Sequence, residues 1–318
     1  MSPNLIRNVA IVGAAGQQGQ HIVEELLKGG KHTVTAITRD NSSATPAPGI
    51  NIAKVNYGDH ASLVSALRGQ DALIITMAVT APPDTSEKLV RAAAEAKVPW
   101  ILPNEWGIDG TNEKLGEECM LGPPAKAIRN LIEKLRVSSW IAVACGFWYE
   151  YSLGGSKDRY GFDFQKKEVT FYDDGNTKIN TSTWVQVARA VTAILSMDAS
   201  ALQANLQNKY AYVKSFHVSQ KDIFERVKVV TGTNDDDWKI DYQPSSERFV
   251  EGRDEMYAGN RAAFAKMLYA RCLYPNGELD IESKHGLANE MLGLPIEDLD
   301  EYTKAAIKIS DETAKEAN

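Results

Sequence analysis

The chain has 318 residues, 43% of them hydrophobic and 24% charged, an ordinary globular balance that excludes disordered, collagen-like and coiled-coil classes. That length suits two domains, or one large domain with an appended lobe. A net charge of −7 has the wrong sign for tracking phosphate backbones and argues against a nucleic-acid partner. The three cysteines are widely spaced and form neither a disulfide framework nor a CxxC motif. Met1 to Asn4 lead into a strand-like segment with no apolar leader, and no stretch approaches the roughly 18 apolar residues of a membrane span. A cytoplasmic protein without a membrane or metal partner is expected.

In chain order, residues 8–12 form a short apolar run that breaks at Gly13, and residues 20–28 then place Ile22, Val23, Leu26 and Leu27 on one helical face. Strands are predicted at 33–38, 50–55, 72–77, 100–102 and 140–144, and helices at 61–68, 86–97 and 125–136. Strands alternating with helices at this spacing predict a doubly wound α/β fold: a parallel sheet covered on both faces. After about residue 150 the rhythm changes. Residues 169–178, around Asp174-Gly175-Asn176, read as a hairpin, followed by helices at 185–195, 220–230 and 261–270. The expected organisation is a cofactor-binding domain over 1–150 and a smaller α/β substrate lobe over 151–318, with a soft boundary because the chain is expected to return to the sheet.

The sharpest motif is Gly13-Ala14-Ala15-Gly16-Gln17-Gln18-Gly19, a GxxGxxG run between the first strand and its helix. Gly13 permits a tight turn, Gly16 lets the backbone approach a pyrophosphate, and Gly19 allows close helix packing. The N–H groups from Ala15 to Gly19 offer donors at the helix start. In NAD binders the second strand ends in Asp or Glu; here Thr38-Arg39 stands there, and a guanidinium forks onto a 2′-phosphate, favouring NADP(H). If Asp40 rather than Arg39 faced the ribose, the preference would reverse. Asn56 and Tyr57 after the third strand are expected near adenine, and Met77, Ala78 and Val79 after the fourth beside the sugars.

Several segments resemble the atypical short-chain dehydrogenases that include the NmrA-like regulators and the isoflavone, pinoresinol-lariciresinol and phenylcoumaran benzylic ether reductases. Pro103-Asn104-Glu105-Trp106-Gly107 looks like that family's Pro-Ser-Glu-Phe-Gly segment, Asn56-Tyr57-Gly58-Asp59 like its third-strand exit, and Gly175-Asn176-Thr177-Lys178 like the start of its second lobe. The resemblance implies that Lys126, at the start of a helix about 20 residues beyond the first of these, sits by the nicotinamide ribose and handles the proton. Desolvation at a closed sheet edge would lower a lysine's pKa toward a working range. The Tyr-x-x-x-Lys pair of common short-chain dehydrogenases has a letter match at Tyr210 and Lys214, far past the nucleotide half, and is read as accidental.

Asn104 and Trp106 depart from the serine and phenylalanine of the family segment, so substrate identity does not transfer. Asn104 and Phe147 are expected on the cofactor side. Trp106, Trp148, Tyr149 and Tyr151 are expected to form an aromatic wall suited to a flat polycyclic or phenolic substrate. The five histidines make no metal-ligand spacing, and P-loop and GxSxG motifs are absent. The resulting expectation is an NADPH-dependent reductase of a small aromatic, polycyclic or alkaloid-like metabolite, acting as a monomer or homodimer. A redox-neutral cyclase or isomerase and an NmrA-like cofactor sensor without turnover are the rival readings.

Overall fold

The computed structural model describes residues 5–42, 47–78 and 81–316. Strands β1 (Asn8–Val12), β2 (Thr33–Arg39), β3 (Asn51–Val55), β4 (Ala72–Ile75), β5 (Trp100–Leu102) and β6 (Ser139–Ala144) alternate with helices α1 (Gln17–Gly29), α2 (His60–Leu67), α3 (Thr85–Glu95), α4 (Glu113–Glu118) and α5 (Gly122–Leu135). There follow β7 (Phe147–Trp148), α6 (Tyr149–Leu153), β8 (Phe162–Asp163), β9 (Glu168–Tyr172), β10 (Ile179–Ser182), α7 (Trp184–Ser196), α8 (Ala199–Leu206), β11 (Lys209–Tyr212) and β12 (Phe216–Val218). The chain ends with α9 (Gln220–Thr231), β13 (Lys239–Gln243), α10 (Ser245–Tyr257), α11 (Ala263–Cys272), α12 (Ile281–His285) and α13 (Leu299–Glu316).

Seven strands form one parallel sheet in the order β11-β6-β5-β4-β1-β2-β3. Side chains alternate across it. Val9 and Ile11 pack with Ile22 and Leu26 of α1 and Val191 and Ile194 of α7, whereas Ala10 and Val12 pack with Leu63 of α2, Leu89 of α3 and Ile132 of α5. Both faces are covered, so the strands read as continuous apolar runs. The fold is the expected doubly wound sheet, and β11 is the strand with which the chain returns to it, beside β6. The strand order reverses between β1 and β4, and such a switch point opens a crevice at the carboxyl ends of the strands.

The second core is aromatic, with Tyr149, Tyr160, Phe162, Phe171, Phe216, Phe224, Trp238 and Tyr269 buried together. Here one expectation is corrected: residues 169–178 are not a hairpin. β9 pairs in parallel with β13 and antiparallel with β8, while β10 leaves for another sheet between β7 and β12. The Asp174-Gly175-Asn176 turn does form, with the Gly175 N–H donating to the Tyr172 carbonyl at 2.9 Å. Beyond it, the hydroxyls of Thr181 and Ser182 donate to the Phe147 and Cys145 carbonyls, each at 2.7 Å, and fix β10 against β7 instead. Among the described residues no helix is long and apolar enough to cross a membrane.

Candidate functional site

The turn from β1 into α1 is set by Gly13, whose φ of +82° lies in the left-handed region. A methyl group there would come to 1.8 Å from the Thr76 carbonyl oxygen, and one at Gly19 to 2.0 Å from the Gly13 carbonyl oxygen. The two glycines let the loop, the helix and the end of β4 close on one another. Gly16 is the N-cap of α1, with no side chain capping the helix and no acidic residue in its first turn. The free N–H groups and the positive end of the helix dipole are therefore available to an anion. Gln18 is buried; its Nε2 donates to the Trp184 carbonyl at 3.2 Å, and its Oε1 has no partner among the described residues. Ala15 is exposed beside the loop.

A cavity of about 410 Å³ opens at this point. It is lined by Gly16, Gln17, Gln18 and Gly19 of the glycine turn, by Thr76, Met77, Ala78, Asn104 and Trp106 after β4 and β5, and by Phe147, Trp148, Tyr151, Arg159 and Tyr269 among others. Asn104 bridges two strand exits: its Oδ1 accepts from the Met77 N–H at 2.9 Å and its Nδ2 donates to the Met77 carbonyl at 3.1 Å. A serine hydroxyl is too short to hold both, so the asparagine fixes where Met77 lies. The Trp106 indole N–H donates to the Ile75 carbonyl at 2.8 Å, which turns its ring along the cavity side. Phe147 stacks on Tyr269 with ring centroids 4.0 Å apart.

Arg39, Asn56 and Tyr57 lie at the ends of β2 and β3, outside this cavity lining. Arg39 is exposed and has no carboxylate partner among the described residues, while the Asp40 carboxylate accepts from the Asn41 N–H at 2.8 Å. Burial pushes the Tyr57 phenol up, and the nearby Arg39 charge pulls against it, so the two side chains are neighbours. Asn56 closes its own turn, its Oδ1 accepting from the Gly58 N–H at 2.8 Å. Val79 lies outside the described residues.

Two residues expected at the reacting and substrate side, Tyr149 and Lys126, are also not on the cavity. Tyr149 is fully buried in the aromatic core, packed on Phe216 at 5.2 Å with its hydroxyl 2.7 Å from Thr303 Oγ1. It opens α6, where successive side chains turn by about 100°, so Trp148 and Tyr151 reach the cavity and Tyr149 faces the other way. Lys126 is also elsewhere: its side chain is 51% exposed and its Nζ pairs with Glu113 at 2.5 Å. The inward positions of α5 belong to Arg129 and Ile132. Tyr210 and Lys214 bond Glu105 and Glu282, away from the cavity.

Sequence reasoning missed Leu121, Arg159 and the α11 face of Phe264, Ala265, Leu268 and Tyr269, all cavity-lining. Their 264, 265, 268, 269 spacing is a helical stripe, so periodicity could have found the face but not what it faces. Glu150, next to Tyr151 in sequence but off the cavity lining, is buried, with Oε2 accepting from the Trp184 N–H at 3.3 Å; burial pushes its carboxyl up to about 8.

A doubly wound sheet with a glycine turn and an uncapped helix start at its switch point defines a class of α/β proteins whose ligand site lies at the carboxyl edge. Residues 7–154 match the NmrA-like family, and an isoflavone reductase homolog of Zea mays is 30% identical over 46% of this chain and 48% of its own length. Oxidoreductase aprR of Aspergillus flavus is 26% identical over 94% of this chain and 98% of its own length. The structure of AtPrR2 with NADP+ and (+)pinoresinol superimposes with a TM-score of 0.77 at 21% identity, covering 96% of this chain and 99% of that one. The crystal structure of an isoflavone reductase gives a TM-score of 0.74 at 20% identity, covering 93% and 98%.

Proposed function

We propose that the protein is an NADPH-dependent reductase of a small aromatic or polycyclic substrate. The observation that carries this reading is one continuous cavity that joins an uncapped helix start to an aromatic wall. The N–H groups of Ala15, Gln17, Gln18 and Gly19 hold the pyrophosphate, while that of Gly16 donates to the Gly13 carbonyl at 2.8 Å and closes the turn, and Arg39, with no carboxylate partner among the described residues, takes the 2′-phosphate beside Tyr57 and Asn56. Met77, fixed by Asn104, and Ala78 border the sugars, with Val79 following them in sequence, and Phe147 borders the nicotinamide. Trp106, Trp148 and Tyr151 hold the substrate ring by stacking and water exclusion. The nicotinamide, when bound, supplies a hydride. A relative solved with NADP+ and an aromatic ligand, and another named an oxidoreductase, support the same reading. The cofactor half is residues 1–150 and the substrate lobe 151–318. Three buried free cysteines fit a reducing, cytoplasmic setting.

Among the described residues the cavity lining holds no lysine, histidine or carboxylate. With Lys126 paired at the surface, the proton of a reduction comes from water or a hydroxyl rather than from an amine. The same feature favours, as a second reading, a site that binds the dinucleotide without net reduction, either as a sensor or with a redox-neutral reaction. Calorimetric titration with NADPH and NADH tests the cofactor assignment. Binding of NADPH at least about tenfold tighter, reduced to parity in Arg39→Ala, is expected; equal affinities in the wild type would overturn the Arg39 role, and no binding of either would overturn the function.

A further inference from the structure

Arg159 stands apart from the other arginines of the chain. Arg129, Arg189, Arg226, Arg248, Arg253 and Arg271, all taken at least partly out of solvent, each have a carboxylate partner. So do its own neighbours: Lys157 pairs with Glu168 at 3.5 Å and Asp158 with Arg248 at 3.0 Å. Arg159 is partly buried, lines the cavity, and has no carboxylate within reach among the described residues. Among the described residues it is the single charged side chain of that lining. Two features hold it in place. Its Cζ lies 3.5 Å from the centroid of the Tyr151 ring while Nη1 donates to the Tyr151 carbonyl. The backbone beneath it is Gly155, where a methyl group would come to 2.2 Å from Nη1 and 2.5 Å from Cζ.

We propose that Arg159 recognises a carboxylate on the substrate, so that the site takes an aromatic or polycyclic acid rather than a neutral ring system. A guanidinium kept in an apolar cavity without a protein counter-ion is a costly arrangement unless a ligand supplies the charge, and its planar fork matches a carboxylate in two parallel hydrogen bonds. In the proposed function the uncapped α1 start serves the dinucleotide, so each anion has its own receptor. This inference rests on reading the cavity as the substrate site.

The test uses the full chain, with and without saturating NADP+, titrated with 2-naphthoate and with 2-naphthamide as a neutral isostere, at pH 7. The wild type is expected to bind the carboxylate roughly tenfold tighter or better. Arg159→Met should abolish that preference while still binding the amide, Arg159→Lys should keep part of it, and Gly155→Ala should weaken it by displacing the guanidinium. Equal affinities for the two probes, no binding of either, or a preference surviving in Arg159→Met would each overturn the proposal. A purely structural role, bracing the turn through the Tyr151 carbonyl, would lower affinity for both probes alike. NADPH binding with no carboxylate preference overturns this inference and leaves the reductase reading standing; carboxylate preference without NADPH binding does the reverse.

Discussion

Backbone oxygens only 1.8 and 2.0 Å away exclude a methyl group from Gly13 and Gly19, whereas the wall facing them is assembled from side chains as distant in sequence as Trp106 and Tyr269. At the glycine end the contacts that exclude a side chain at Gly13 and Gly19 are made by backbone within a few residues, apart from the crossing to Thr76. At the aromatic end the contacts are made by side chains gathered from several elements, β7, α6 and α11 among them. The first kind of site is intolerant of almost any substitution. The second loses function by degrees, because each ring contributes its own share of buried surface.

The widest gap between the two ends should appear at Gly13→Ala. A non-glycine residue at φ +82° that also collides with Thr76 cannot keep the turn, and NADPH affinity is expected to fall by about 100-fold or more with a loss of a few kcal/mol in stability. Titration and thermal unfolding check both. Gly16→Ala sharpens the comparison: its methyl would meet the Gly13 oxygen at 3.1 Å, so the unfolding midpoint should hardly move while cofactor affinity drops.

The next effect concerns Glu150, buried beside the Trp184 N–H. Its carboxyl titrates near 8 in the folded chain because burial disfavours the charge, against an ordinary value of 4.5. The folded state thus keeps its proton while the unfolded chain loses it. The contribution of Glu150 to stability is full below pH 4.5, declines as pH rises, and is lost through about 8. Glu150→Gln keeps an acceptor for the Trp184 N–H and removes this slope. Denaturant midpoints should show the variant more stable than wild type at pH 9, by an amount on the order of a few kcal/mol, and no advantage at pH 5.

Adjacent residues then separate cavity from core. Trp148→Leu should weaken binding of an aromatic ligand by roughly tenfold. Tyr149→Phe should leave binding unchanged and cost about 1 kcal/mol through the lost hydrogen bond to Thr303. The smallest effect is expected at Lys126→Ala, whose amine sits in a half-exposed surface pair: turnover within about twofold of wild type. A loss of turnover by orders of magnitude there would mean that Lys126 swings into the cavity, and would return it to the role its sequence position implies.

These differences also explain what the sequence made legible. The parallel sheet was readable because its strands are buried on both faces, and the glycine loop because its geometry is enforced over seven consecutive residues. Trp106, Phe147, Trp148 and Tyr151 were readable as aromatic residues at strand exits. Tyr149 was not separable from its neighbours, because nothing local says that β7 runs into a helix at that point. Lys126 was one residue out of phase with the inward face of α5, a distinction of about 100° that resemblance alone does not make. Arg159 and the α11 stripe join the cavity only through the second lobe, whose small sheets pair strands that are far apart in sequence.

The most direct test of the whole account is hydride transfer itself. NADPH deuterated at its transferable C4 position, incubated with the protein and candidate aromatic substrates, should deliver deuterium to a carbon of the product, and Gly13→Ala should abolish the transfer while Lys126→Ala preserves it. Demonstrable NADPH binding with no deuterium in any product would contradict the reductase reading and leave a dinucleotide-binding protein without net reduction.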